Sequence, residues 1–119
     1  MEILGIGADI VEISRIEEIC GRSPDFEERV FTEAELTYCR SKGNPFLHLA
    51  ARFAGKEAVA KAFGRPFSWQ EVEIFTEPSG KPSIRLSGRA LEMAGAARAL
   101  ISLSHSRDYA TAVAILVQD

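Results

Sequence analysis

The stretch that most restricts the fold is residues 52 to 64, RFAGKEAVAKAFG, where four ionisable side chains sit in a run otherwise made almost wholly of Ala, Gly and Phe. Alanine is the strongest helix former, so the run reads as a helix. Its small residues Ala54, Gly55, Ala58 and Ala60 let another backbone, or a bulky ligand, come close. On that helix Glu57 and Lys61 stand four apart and share a face, while Arg52 and Lys56 form a second such pair about 140° round from the first. Two readings stand. The Glu57–Lys61 pair is either a solvated surface ion pair, worth a few tenths of a kcal/mol, or part of a site built on the helix.

At 119 residues the chain suits one domain, spanning residues 1–119. Its 46% apolar and 26% charged content is ordinary for a soluble globular protein. A net charge of −3 speaks against a general nucleic-acid binder, which needs a basic surplus to neutralise phosphates. No run approaches the roughly 20 apolar residues of a membrane span. The start Met1-Glu2-Ile3 lacks the basic and apolar regions of a signal peptide, so the expected compartment is the cytoplasm. Cys20 and Cys39 have no metal-ligand spacing and read as reduced, partly buried thiols.

Residues 3 to 13, ILGIGADIVEI, read as an opening strand. Strand alternation sends Gly5, Gly7, Asp9 and Val11 to one side and Leu4, Ile6, Ala8 and Ile10 to the other. Ser14-Arg15-Ile16-Glu17 has the capping-box pattern and predicts a helix from Arg15 towards Gly21, followed by a short helical segment after Ser23-Pro24. Thr32-Glu33-Ala34-Glu35 repeats the box and predicts a helix ending near Gly43. Asn44-Pro45 starts the long helix, which closes at Phe63 with Gly64 as its C′ residue. Strands are predicted over 71–76 and 82–86, joined by Pro78-Ser79-Gly80-Lys81. Ser87 caps a helix through Ala97, and a hairpin of 100–105 and 109–117 ends the chain. This order predicts an α+β fold with a mainly antiparallel sheet.

A carboxylate inside the apolar opening strand must be solvated at an edge, paired, or bound to a cation. Asp9 is therefore either a strand-end acceptor of backbone hydrogen bonds or a ligand. His105, where a strand gives way to the turn Ser106-Arg107-Asp108, is either a structural hydrogen-bonder or a ligand contact; His48, among apolar helix residues, reads as structural. Asp9 and Glu57 together suit a hard divalent cation, with Mg²⁺ the natural candidate because it takes one or two carboxylates and fills its octahedron with water and substrate phosphates. Arg52, Lys56 and Lys61 would then oppose phosphate charge. The residues alone lead to a metal-assisted reaction on a phosphorylated or diphosphate substrate.

GIGADIVEISRIE at the start, RFAGKEAVAKAF in the middle and SLSHSRDYATAVA at the end, in this order and spacing, resemble the holo-acyl-carrier-protein synthase family, the small phosphopantetheinyl transferases of fatty-acid synthesis. The resemblance implies transfer of 4′-phosphopantetheine from coenzyme A to a serine hydroxyl of apo acyl carrier protein, releasing adenosine 3′,5′-bisphosphate. It implies metal ligation by Asp9 and Glu57, and a diphosphate contact for Lys61. His105 and the turn Gly80-Lys81-Pro82 match the family's coenzyme A contacts, and Arg52 is assigned with them. Subunits of the family form a trimer with sites at the interfaces. Carrier docking falls to Arg15 and Arg22, seven apart on one helix face; relatives often carry further basic residues there, whereas here Asp25 and Glu27 follow. The expected mechanism has Glu57 as base through a metal-bound water, with bulk water as the competitor. A coenzyme A-binding module without turnover and a small diphosphate hydrolase are the competing functions.

Overall fold

The computed structural model describes residues 1–119. The chain opens with a long strand, β1 (Glu2–Glu12), which passes directly into helix α1 (Ile13–Arg22). Short helices α2 (Phe26–Val30) and α3 (Glu33–Arg40) lead to the long α4 (Pro45–Phe63). A 3-10 turn at Trp69–Glu71 precedes the hairpin of β2 (Val72–Thr76) and β3 (Pro82–Leu86). Helix α5 (Gly88–Ala94) then leads to the closing pair β4 (Arg98–His105) and β5 (Tyr109–Gln118). All pairing is antiparallel, as expected, but the strands divide into two sheets: β1-β5-β4, and β2-β3 alone.

Helix α4 organises both layers. Its start and stop follow the sequence: the Asn44 side chain accepts from the Leu47 N–H at 3.4 Å, Pro45 occupies the first turn, and Gly64 closes the helix at φ 82°. Between those ends the helix crosses the inner face of the three-stranded sheet. The alternation predicted for β1 holds: Gly7 is buried and faces the helix, while Ile6, Ala8 and Ile10 face outward. The room left by the β1 glycines is filled by α4 itself. A Cβ on Gly7 would lie 2.0 Å from the Ala58 carbonyl oxygen, and one on Gly5 would lie 1.9 Å from that of Ala62. Gly7→Ala is therefore expected to force strand and helix apart and destabilise by about 1–3 kcal/mol, read as a lower urea midpoint with an unchanged m-value.

Two core clusters lie along α4. Its N-terminal half packs Leu49 and Ala50 with Ile16, Phe31 and Cys39, while its C-terminal half packs Ala54, Ala58 and Val59 against Val72, Ala112 and Ala114. The outer face of the three-stranded sheet has no such cover. Ile6 pairs with Ile115 and Ala8 with Val113, and Leu100 flanks Ile115 from the other side; Ile6 is 67% exposed and Ile10 61%.

Predicted boundaries are corrected at three helices. Helix α1 begins at Ile13, with no side-chain cap from Ser14, because the Ile13 N–H is taken by the Asp108 carbonyl at 2.9 Å and the strand runs straight into the helix. Helix α5 stops at Ala94 and Ser87 does not cap it; the Glu71 carboxylate accepts from the Arg89 N–H at 2.7 Å instead. The box at Thr32 is formed as predicted, but its helix ends at Arg40 rather than near Gly43.

Candidate active site

Asp9 points inward from β1, the edge strand next to α4, so its carboxylate comes out beside the helix face that carries Glu57 and Lys61. The Lys61 ammonium lies 3.3 Å from Asp9 Oδ1 and donates to the Ala8 carbonyl at 3.0 Å. Asp9 is 19% exposed and Lys61 54%, so the pair sits at a rim. Burial pushes the Glu57 carboxyl above its usual range, and the nearby Asp9 charge pushes it the same way, against a smaller opposing effect of Lys61. Two acids far apart in sequence thus share one electrostatic site.

Asp9 and Glu57 line a cavity of about 460 Å³ together with Arg15 and Ile19 from α1, Phe53 from α4 and Tyr109 from β5. Phe53 and Tyr109 were not singled out by the sequence, where nothing distinguishes them from core aromatics. Glu57 also borders a second cavity, of about 200 Å³, walled by Ala60, Phe67, Trp69 and Val72. On the other side Asp9 and Lys61 adjoin Thr111 and Val113 at the bare sheet face.

No group of three or more His, Cys, Asp or Glu side chains comes together. The chain therefore offers two carboxylates, the number a protein supplies to Mg²⁺ when phosphates complete the octahedron. Their like charge, offset only by a rim lysine, fits a hard cation. Cys20 and Cys39 are free; burial pushes each thiol up to about 11, so neither is poised as a nucleophile.

The other basic residues of α4 lie elsewhere. Lys56 is buried, with its ammonium 2.8 Å from Glu35 Oε1 and bonded to the carbonyls of Trp69 and Val72 at 2.9 and 2.6 Å. It cannot oppose a phosphate, which corrects the sequence reading. Arg52 is also buried: its guanidinium lies 4.3 Å from the centre of the Tyr38 ring and donates to Thr76 Oγ1 at 3.0 Å, leaving Nε without a partner. Arg52 thus does not join Asp9 and Glu57 within one chain. His105, exposed at the end of β4, has its ring 6.5 Å from that of His48, on the side of α4 about 180° from Glu57. His48 is held below its usual pKa by burial and then by the charges of Arg52 and Lys42, with His105 adding to them. Gly80, at φ 92°, and Lys81 form the exposed tip of the β2-β3 hairpin beyond Thr76, and Pro82 begins β3. Arg15 and Arg22 are both exposed on α1, but only Arg15 reaches the larger cavity; Arg22 pairs with Glu18 at 3.1 Å.

Residues 5–114 match the family model of the 4′-phosphopantetheinyl transferase superfamily. The holo-acyl-carrier-protein synthase of Caldanaerobacter subterraneus is 46% identical over 98% of this chain and 96% of its own. The crystal structure of the Neisseria meningitidis synthase superposes with a TM-score of 0.88 at 34% identity, covering 98% of this chain and 100% of that one. That of the Bacillus anthracis synthase, in complex with CoA (3′,5′-ADP), superposes with a TM-score of 0.84 at 32% identity, covering 98% of each chain. The chain belongs to the 4′-phosphopantetheinyl transferase superfamily. Within it, the chain falls among the holo-acyl-carrier-protein synthases, which are enzymes.

Proposed function

We infer that the protein transfers 4′-phosphopantetheine from coenzyme A to a serine hydroxyl of apo acyl carrier protein, as in the fatty-acid synthesis that its family serves. The observation that carries this reading is the meeting of Asp9 and Glu57 in one cavity, with the Lys61 ammonium beside Asp9. Asp9 and Glu57 would hold Mg²⁺, which when bound neutralises diphosphate charge and polarises the attacked phosphorus. The serine Oγ bonds to the phosphorus that carries pantetheine, and the bond from that phosphorus to the bridging oxygen breaks. The electron pair leaves with adenosine 3′,5′-bisphosphate. The hydroxyl proton passes to water held beside the Glu57 carboxylate, with bulk water as the competing acceptor. Lys61, a mobile point charge at the rim, opposes charge on the phosphate oxygens.

The nucleotide end of coenzyme A falls to the second basic group, His105, Arg52 and the tip Gly80-Lys81-Pro82. The basic side chains gather here: the charges of Arg52 and Lys42, with His105, add to the burial that lowers the His48 pKa, and the Arg52 Nε has no partner. Within one chain this group lies on the far side of α4 from Glu57, so one ligand touching both needs a neighbouring subunit. The bare sheet face beside Asp9 supplies the contact, and we assign a homotrimer with shared sites. Ile6→Glu is expected to dissociate it in sedimentation equilibrium and to lower transfer at least about ten-fold; a monomer of full activity would remove the shared site.

Arg15 stands at the cavity mouth, where an acidic carrier would approach, with Arg22 on the same face one heptad further on. Charge reversal at Arg15 should raise KM for the carrier by about three- to ten-fold and weaken its salt dependence, leaving KM for coenzyme A unmoved. At Arg22, already paired with Glu18, the effect should be smaller. Equal losses for both substrates would move carrier docking off this helix. We assign the enzyme to the cytoplasm, with coenzyme A and carrier as its partners; no helix is long and apolar enough to cross a membrane. Incubation with coenzyme A, Mg²⁺ and apo carrier, followed by mass spectrometry of the carrier, tests the function. A phosphopantetheine mass gain supports transfer, breakdown of coenzyme A without that gain supports a hydrolase, and neither supports a binding module.

A further inference from the structure

Lys61 already occupies the position of a cation. Its ammonium is held by Asp9 Oδ1 at 3.3 Å and by the Ala8 carbonyl at 3.0 Å, while Glu57, one turn back on the same helix face, enters no ion pair. We propose that Lys61 is the resident counter-cation of the substrate-free centre, displaced from Asp9 when a divalent ion enters, so that metal and coenzyme A bind cooperatively. The inference rests on the reading above, in which Asp9 and Glu57 hold the ion and Lys61 turns to phosphate.

Three features of this chain support it. Within one chain the side chain is 54% exposed, so its four-carbon stem is not packed against Asp9, and a lysine ammonium keeps its charge compact wherever it goes. Its two acceptors are a carboxylate that the ion needs and a backbone carbonyl that the ion does not. With Lys61 in place, a dication at Asp9 meets a like charge within a few ångströms, a repulsion that vanishes once a diphosphate offers the ammonium another partner. Coenzyme A therefore strengthens metal binding by more than its own ligating oxygens, and by linkage the metal strengthens coenzyme A binding equally.

The test uses Mn²⁺ as probe, its free concentration read by electron paramagnetic resonance, on the full-length protein with and without coenzyme A. Lys61→Met is expected to bind Mn²⁺ about three- to ten-fold more tightly than wild type in the absence of coenzyme A, and to gain less when coenzyme A is added. Lys61→Arg, which keeps the charge, should stay close to wild type, and adding Asp9→Asn to Lys61→Met should abolish the gain. Equal or weaker Mn²⁺ binding by Lys61→Met without coenzyme A overturns the proposal. So does a wild-type protein that binds no Mn²⁺ even with coenzyme A, an outcome that also removes the metal assignment. Carrier mass gain with Mg²⁺ on the same preparations reads the transfer reaction independently, so a failure there is not mistaken for a failure of the displacement.

Discussion

Glu57→Gln is expected to lower transfer by about 100- to 1000-fold and, in the same protein, to raise the metal-free melting temperature at neutral pH. The loss follows from removing one of two proposed ligands, since metal stabilisation of a phosphoryl transition state is worth several kcal/mol and each 1.4 kcal/mol is ten-fold. The gain in stability follows from the raised Glu57 pKa. A carboxyl held above its unfolded value favours the folded state below the unfolded pKa, and that advantage is lost as pH rises through the folded pKa. At neutral pH an ionised Glu57 therefore opposes folding, through burial and then Asp9, and the neutral amide relieves it. Because Glu57 is partly exposed, the relief should be only a degree or two, about what a few tenths of a kcal/mol produce. It should disappear near pH 4, where the wild-type carboxyl is itself protonated. Asp9→Asn should match the loss of transfer while changing stability little, since it removes both a repulsion with Glu57 and a pairing with Lys61. A Glu57→Gln protein with near wild-type turnover at low Mg²⁺ would remove Glu57 from the centre, and a lower metal-free melting temperature would remove its repulsion with Asp9.

The features that local chemistry alone determines were legible. The Thr32 box, the Asn44-Pro45 start and the Gly64 stop each depend on residues within one turn of the helix end, and each is formed as read. Ser14 and Ser87 failed for one reason: an acceptor distant in sequence, the Asp108 carbonyl in one case and the Glu71 carboxylate in the other, reached the helix end instead. Strand alternation and helix periodicity assigned Asp9 and Glu57 each to a face, and the family resemblance paired them; what brings the faces together is the backbone contact of β1 and α4 at Gly7 and Ala58. A helix wheel gives Lys56 and Arg52 a direction without saying what lies there, and Lys56 was misread as open to a phosphate. The space beyond those two side chains is filled by α3 and the β2-β3 hairpin, whose packing against α4 no local pattern records. Glu35 was hidden twice over, since its role in the Thr32 box accounted for it fully before its second oxygen was found on the Ile74 N–H. The outward row Ile6, Ala8, Ile10 was read as one side of a strand, but a single chain's sequence does not mark which apolar side lacks a cover.

Lys56→Met should be the most damaging substitution for stability, at about 3–5 kcal/mol, because it leaves the Glu35 carboxylate buried without its cation. The Lys56 ammonium joins three elements: it bonds Glu35 of α3, the Trp69 carbonyl of the 3-10 turn and the Val72 carbonyl of β2. Glu35 completes the junction by accepting from the N–H groups of Thr32 at 2.9 Å and Ile74 at 2.8 Å. Burial pulls the Lys56 pKa down and Glu35 pulls against it, which is the balance expected of a buried pair whose attraction offsets much of its own desolvation. Removing both charges should accordingly cost less than the two single losses combined. A Glu35→Leu/Lys56→Met double variant should recover part of the loss and no more, because the N–H groups of Thr32 and Ile74 and the Val72 carbonyl then lose their side-chain partners. Since β2 leads to the Gly80-Lys81 tip and Lys56 precedes Glu57, the single variant should also weaken coenzyme A binding at temperatures where it remains folded. Urea unfolding of the two single variants and the double gives the coupling directly. A Lys56→Met protein within about 1 kcal/mol of wild type would mean that Glu35 finds water or a proton in place of the lysine, and that the junction does not depend on charge.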